Sequence, residues 1–104
     1  MKFVIIKTTF ENKKDAEDIA KKIIDARIGA CVQISEVESY YCWNEKVENA
    51  KEYKIEIKTT KERYKEVEEL ILKNHKYDIP EIVSYELTDG SKEYFDWING
   101  EVNK

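Results

Sequence analysis

The 104-residue sequence predicts an α+β sandwich: two helices on one face of a four-stranded antiparallel sheet, with an extra helix at the C-terminal end. Three observations predict it. Four segments, 3–9, 30–43, 50–59 and 81–88, carry strand patterns. Two segments between them, 13–28 and the stretch ending at Asn74, carry apolar residues at helical spacing. The resulting order is β-α-β-β-α-β, the split arrangement called ferredoxin-like.

Each element has its own justification. Residues 3–9, FVIIKTT, are β-branched and aromatic without alternation, so this strand is expected at the centre of the sheet. Asn12 is a good helix N-cap. Ala16, Ile19, Ala20, Ile23, Ile24 and Ile28 then form one apolar face, and Gly29 is expected as the C-terminal cap. Residues 30–43 read as a long strand in which Val32 and Ile34 set one phase and Val37, Tyr41 and Trp43 the other. A change of phase implies an extra residue, so a bulge is expected near Ser35-Glu36. Asn44-Glu45 reads as the turn of an extended antiparallel hairpin. In its second strand Tyr53, Ile55, Ile57 and Thr59 face one side, and Glu52, Lys54, Glu56 and Lys58 the other. Thr59 and Glu62 have the spacing of a capping box for the second helix, whose face is Tyr64, Val67, Leu70 and Ile71. Val83, Tyr85 and Leu87 mark the last strand. Ser91 caps a terminal helix carrying Tyr94, Phe95, Ile98 and Val102, with Trp97 on its margin.

Composition bounds the function. One domain spanning 1–104 is the default for this length. The net charge is −4, and only Arg27 and Arg63 are arginines among 18 basic residues. No basic face for nucleic acid is expected. The segment Met1–Ile6 is too short for a signal peptide or membrane span, so a cytoplasmic protein without a membrane partner is expected. Cys31 and Cys42 lie on one predicted strand, 11 steps or roughly 36 Å apart at about 3.3 Å per step. Disulfides need Cα atoms about 4.4–6.8 Å apart, so no intrachain disulfide is expected. With both main helices on one face, the other sheet face is left uncovered. Together with the aromatic hairpin (Tyr40, Tyr41, Trp43, Tyr53) this predicts self-association in a closed ring.

One stretch concentrates the titratable groups. His75-Lys76-Tyr77-Asp78-Ile79-Pro80-Glu81-Ile82 contains the sole His and the sole Pro, and it connects the second helix to the last strand. Connections on a rigid scaffold are where sites are usually built. A helix end and a chain redirection would use the same residues. No Ser-His-Asp order, Gly-rich phosphate loop or CxxC is present, so no enzyme is expected.

Five segments, in order, resemble one family. They are ARIGACV (26–32), SYYCWNEK (39–46), EYKIEIKT (52–59), HKYDIPEI (75–82) and YFDWI (94–98). They are similar to the CutA family of divalent-cation tolerance proteins, whose patterns include S-x-Y-x-W-x-G-K and H-P-Y-E-x-P-E-I. The resemblance covers nearly the whole chain. It implies a ferredoxin-like homotrimer resembling the PII signalling proteins, associated with copper and other divalent metals. Three positions depart from the family pattern. Lys76 replaces a Pro, Asn44-Glu45 replaces a Gly before Lys46, and Lys7 stands where some members carry a copper-linked Cys.

The resemblance implies a metal role for His75 and Glu52, with Asp78 or Glu81 assisting from the same or a neighbouring subunit. Imidazole and carboxylate suit Cu²⁺ or Zn²⁺, although three or four ligands are usual for zinc. Glu52 also reads as a solvated strand residue paired with a Lys. Cys31 and Cys42 are thiol candidates for soft metals, Cys31 also fitting a buried structural role. Tyr40, Trp43, Lys46, Lys58, Tyr77 and Glu81 form a set that would line a cleft between subunits. That cleft would hold a small anion or pack as interface. The functions implied are copper-type divalent metal binding in metal tolerance, a trimeric sensor of a small anion, or a structural trimer.

Overall fold

The computed structural model describes residues 1–103. Four strands, β1 (Phe3–Phe10), β2 (Cys31–Trp43), β3 (Lys46–Thr60) and β4 (Val83–Glu86), form one antiparallel sheet in the order β2-β3-β1-β4. Helices α1 (Lys13–Asp25) and α2 (Tyr64–Asn74) provide the second layer, and α3 (Lys92–Val102) follows β4. The expected α+β, ferredoxin-like order with an added terminal helix is the one observed. β1 lies inside the sheet, as its apolar run predicts.

The core is where the two periodicities meet. Val4, Ile6 and Phe10 of β1 and Ile55 and Ile57 of β3 alternate onto one sheet face. Ala16, Ile19 and Ile23 of α1 and Val67 and Ile71 of α2 pack into the same cluster. Fully burying an Ile contributes about 1.5–3 kcal/mol, so this isoleucine-rich seam is the main source of stability. Asn12 caps α1 as expected, its side chain accepting from the Asp15 N–H at 2.9 Å.

Several expected details differ. Gly29 does not cap α1. Arg27 takes the left-handed position at φ 57°. The Arg27 and Ile28 N–H groups close the helix end on the Ile24 and Ile23 carbonyls at 3.1 and 3.3 Å. Gly29 is required for space instead, since a Cβ there would stand 2.6 Å from Ile23 Cγ2 and 2.8 Å from Ile57 Cγ2. The capping box is absent. The Thr59 hydroxyl donates to the Ile28 carbonyl at 2.7 Å, and α2 is entered through a 3₁₀ turn, Lys61–Arg63, that has no side-chain cap.

There is also no bulge at Ser35-Glu36, because β2 and β3 pair without interruption from Cys31↔Lys58 to Trp43↔Lys46. The change of phase has another cause. Ile34 faces the helices opposite Ile55, whereas Val37 faces the other side opposite Glu52. The helix layer does not follow the strand along its whole length. Past Ile34 the contact from outside the hairpin comes from loop 75–82, whose Tyr77 hydroxyl reaches Glu52, the residue opposite Val37, while Tyr41 and Trp43 are exposed.

The hairpin outruns the sheet. β1 pairs with β3 only as far as Tyr53, which leaves Lys46 to Glu52 projecting beyond it, roughly 23 Å at about 3.3 Å per residue. The radius of gyration is accordingly 14.4 Å, against about 13 Å for a compact chain of this length. Asn44 and Glu45 make the two-residue turn with φ of 51° and 64°, the positive pair of a type I′ hairpin.

The sheet face away from α1 and α2 is not wholly uncovered, contrary to expectation, and it is mixed in character. Lys7, Lys54, Glu56 and Lys58 share it with Ile5, Val83 and Tyr85. α3 lies over one end, where Phe95 stacks on Phe3 with ring centroids 4.4 Å apart and Lys58 Nζ sits 5.4 Å from the Tyr94 centroid. The apolar stripe of α3 needs a partner, and Ile98 and Val102 are fully buried. Arg63 secures the far end of α3, donating to the Val102 carbonyl from two guanidinium nitrogens at 3.0 and 2.6 Å. Among the described residues no helix is long and apolar enough to cross a membrane.

Candidate functional site

The loop 75–82 is built from the end of α2 outward. Asn74 closes the helix by donating to the Leu70 carbonyl at 2.8 Å, and Lys22 of α1 donates to Asn74 at 3.0 Å. His75 then turns extended, with φ −87° and ψ 142°. Its ring stacks on Phe10 at 4.4 Å and 15°, directly over the last residue of β1. Nε2 lies 2.7 Å from the Thr9 carbonyl oxygen, and the Tyr77 N–H points to Nδ1 at 3.1 Å.

Tyr77 carries the connection onward. Its hydroxyl donates to Glu52 Oε2 at 2.8 Å, and the Ser39 hydroxyl donates to Glu52 Oε1 at 2.6 Å. Glu52 is only 9% exposed, so these hydroxyls replace water that the carboxylate has lost. Burial first, and then the Glu52 carboxylate, push the Tyr77 phenol well above its ordinary pKa, so it stays a neutral donor. One continuous chain of contacts thus runs from β1 through the loop to both strands of the hairpin: Thr9, His75, Tyr77, Glu52, Ser39.

The flanks of the loop are held by ion pairs. Lys76, which stands where the related pattern has proline, meets Asp15 at 3.1 Å and ties the loop to the first turn of α1. Glu81 meets Lys7 at 3.3 Å. Each pair joins an exposed side chain (Lys76, Glu81) to a partly buried one (Asp15, Lys7), so solvent still screens it and its contribution is modest. Ile79 is 87% exposed, and Asp78 is exposed with no ion pair or hydrogen bond among the described residues.

The residues singled out from the sequence are only partly brought together. His75 and Glu52 belong to one network but do not meet. They contact opposite ends of Tyr77, its backbone nitrogen and its hydroxyl. Among the described residues no group of three or more His, Cys, Asp and Glu side chains could hold a metal ion. The expected ligand pair therefore does not form a metal site within one chain.

Tyr40, Trp43 and Lys46 lie at the projecting end of the hairpin, with Tyr40 69% and Trp43 60% exposed. Lys58, at the other end of the same strand, is roughly 40 Å from Lys46 at about 3.3 Å per residue. One chain cannot gather this set into a single cleft. Cys31 is partly buried, Cys42 is exposed, and both are free thiols as expected. The surface depressions are shallow, about 310 Å³ along Glu36, Glu38 and Lys51 and about 290 Å³ beside Phe3 and Phe95.

Two participants were not singled out in the sequence, the Ser39 hydroxyl and the Thr9 carbonyl. Ser39 was within reach of inference. A two-residue turn at Asn44-Glu45 fixes the register, which sets Glu52 opposite Val37 and diagonal to Ser39.

Comparison with known proteins places the chain. Residues 4–101 match the sequence profile of the CutA1 divalent ion tolerance proteins. The chain belongs to that family. The divalent-cation tolerance protein CutA of Pyrococcus horikoshii is 32% identical over 101 residues, covering 97% of this chain and 99% of the relative. A probable divalent-cation tolerance protein cutA homolog of Encephalitozoon cuniculi is 32% identical over 94 residues, covering 90% and 82%. Among solved structures, the periplasmic divalent cation tolerance protein CutA of Archaeoglobus fulgidus superposes with a TM-score of 0.94 at 33% identity, over 97% of this chain and 99% of that one. The CutA1 of Ehrlichia chaffeensis gives 0.93 at 27% identity, over 100% and 99%. The CutA1 fold thus accounts for the whole described architecture, including the projecting hairpin.

Proposed function

We propose that this chain acts in divalent-cation tolerance as a homotrimer that takes up a copper-type metal ion with donors from more than one copy. The observation that carries this reading is the separation of the donors. The chain belongs to a family named for divalent ion tolerance, yet among the described residues its donors do not converge within one copy. The exposed thiol of Cys42 on the hairpin suits a soft metal, and the exposed carboxylate of Asp78 in the loop suits any divalent ion. A ring of copies brings the projecting hairpin of one beside the body of the next. It also covers the exposed Tyr40, Tyr41, Trp43 and Val47, which are costly to leave in water. The protein is cytoplasmic and non-enzymatic in this reading, with neither nucleic acid nor membrane as partner. The net charge of −4 supports the lack of a nucleic-acid partner, and the sequence carries no catalytic motif.

Titration calorimetry of the full chain with Cu²⁺ and Zn²⁺, alongside Cys42→Ser and Asp78→Asn, tests the metal. Saturable binding weakened at least about tenfold in one variant supports it, a loss of about 1.4 kcal/mol. No binding heat from wild type contradicts it. A sensor of a small anion is the second reading. Lys46 and Lys58 favour it, because neither has an acidic partner among the described residues. A phosphate-type anion retained by the purified assembly and lost in Lys58→Ala would select it.

A further inference from the structure

We infer that His75 is a hydrogen-bonded clip in its Nε2–H tautomer, fastening loop 75–82 to the end of β1, and that divalent cations taken up by the protein do not use it as a ligand. The partners settle the tautomer. The Thr9 carbonyl can only accept, so Nε2, 2.7 Å away, carries the proton. The Tyr77 N–H can only donate, so Nδ1, 3.1 Å away, is the bare nitrogen and its lone pair is engaged.

The first of these bonds does not by itself speak against a metal. Ligating histidines commonly donate their other N–H to a backbone carbonyl. The decision rests on Nδ1. For Nδ1 to reach a cation, the Tyr77 N–H must leave it, and the backbone of Tyr77 must move with it. That movement pulls the Tyr77 hydroxyl from Glu52, a carboxylate that is 9% exposed and has only one other donor among the described residues, Ser39. The ring has little freedom to turn instead. Phe10, 2% exposed, stacks on it at 4.4 Å, and Tyr77 packs against it at 4.8 Å. No cluster of further donors stands ready among the described residues to offset the loss.

The clip has a consequence for the hairpin. Because Tyr77 is fixed at its backbone by His75 and at its hydroxyl by Glu52, His75 is a positioning residue for the base of the projecting strands. The inference is independent of whether the protein takes up metal, and the experiment separates the two.

The test is ring-nitrogen NMR of the full-length protein, free and titrated with Zn²⁺, together with zinc calorimetry of wild type and His75→Gln. Gln supplies an N–H for Thr9 but no imidazole. The expected spectrum has a protonated Nε2 and a bare Nδ1, neither shifting on saturation with zinc. Folded His75→Gln is expected to keep the wild-type zinc affinity within about twofold. A protonated Nδ1, a ring signal that moves with zinc, or a tenfold affinity loss in folded His75→Gln overturns it. If wild type binds no zinc, the proposed metal uptake fails while the protonation pattern of the ring still decides this inference. If His75→Gln does not fold, the wild-type spectra decide it alone.

Discussion

Replacing Tyr77 by Phe removes one oxygen and leaves the ring in place. The lost group is the hydroxyl that donates to Glu52 Oε2 at 2.8 Å. A hydrogen bond to a charged partner contributes about 1.5–3 kcal/mol, roughly twice the neutral case. Two features set where in that range the loss falls. Glu52 is 9% exposed, so water replaces the hydroxyl poorly, which raises the cost. The Ser39 hydroxyl stays on Oε1 at 2.6 Å, so the carboxylate is not stripped of donors, which lowers it. The expected loss is therefore about 2 kcal/mol, measured by urea unfolding at one fixed protein concentration. The same substitution in a Glu52→Met background is expected to cost under about 0.5 kcal/mol, since no acceptor remains there, giving a coupling of about 1.5 kcal/mol. Equal losses in both backgrounds would refute the reasoning, because the Tyr77 hydroxyl would then act without Glu52.

Three further outcomes follow from other parts of the fold. The Tyr77 phenol ionises less readily folded than unfolded, so its contribution is complete below pH 10 and lost as pH rises through the folded pKa. The stability gap between wild type and Tyr77→Phe should therefore narrow above pH 10 in alkaline unfolding series. Glu45→Gly relieves a φ of 64° at a residue with a Cβ and is expected to raise stability by about 1 kcal/mol, read as a higher urea midpoint. Gly29→Ala places a methyl 2.6 Å from Ile23 Cγ2 and 2.8 Å from Ile57 Cγ2, and overpacking of this kind costs about 1–3 kcal/mol in the same assay.

The sequence carried the architecture because its hydrophobic periods change where the elements change. Alternation at Tyr53, Ile55, Ile57 and Thr59 and helical spacing at Ala16, Ile19 and Ile23 each had a single reading, and both elements formed there. Local rules failed where a tertiary contact competed with them. Thr59 was a sound N-cap by pattern, but its hydroxyl found the Ile28 carbonyl, 31 positions away. Gly29 looked like a cap because glycine tolerates positive φ, while its real constraint is the close approach of two isoleucines. The phase change at Val37 implied a bulge only under the assumption that one layer covers the whole strand.

The candidate site was legible as a place rather than as a mechanism. The loop 75–82, Tyr77 and Glu52 were all singled out, and the structure joins them. Hydrogen-bond direction was not readable from the sequence. A histidine near a carboxylate suggests a ligand pair, and only the Thr9 carbonyl and the Tyr77 amide show that both ring nitrogens are already engaged.

The mass of the protein in solution tests the central claim most directly, because the proposed metal site requires donors from several copies. Light scattering at micromolar concentration is predicted to give three times the 12.4 kDa chain mass. A stable mass of 12.4 kDa under the same conditions would contradict it.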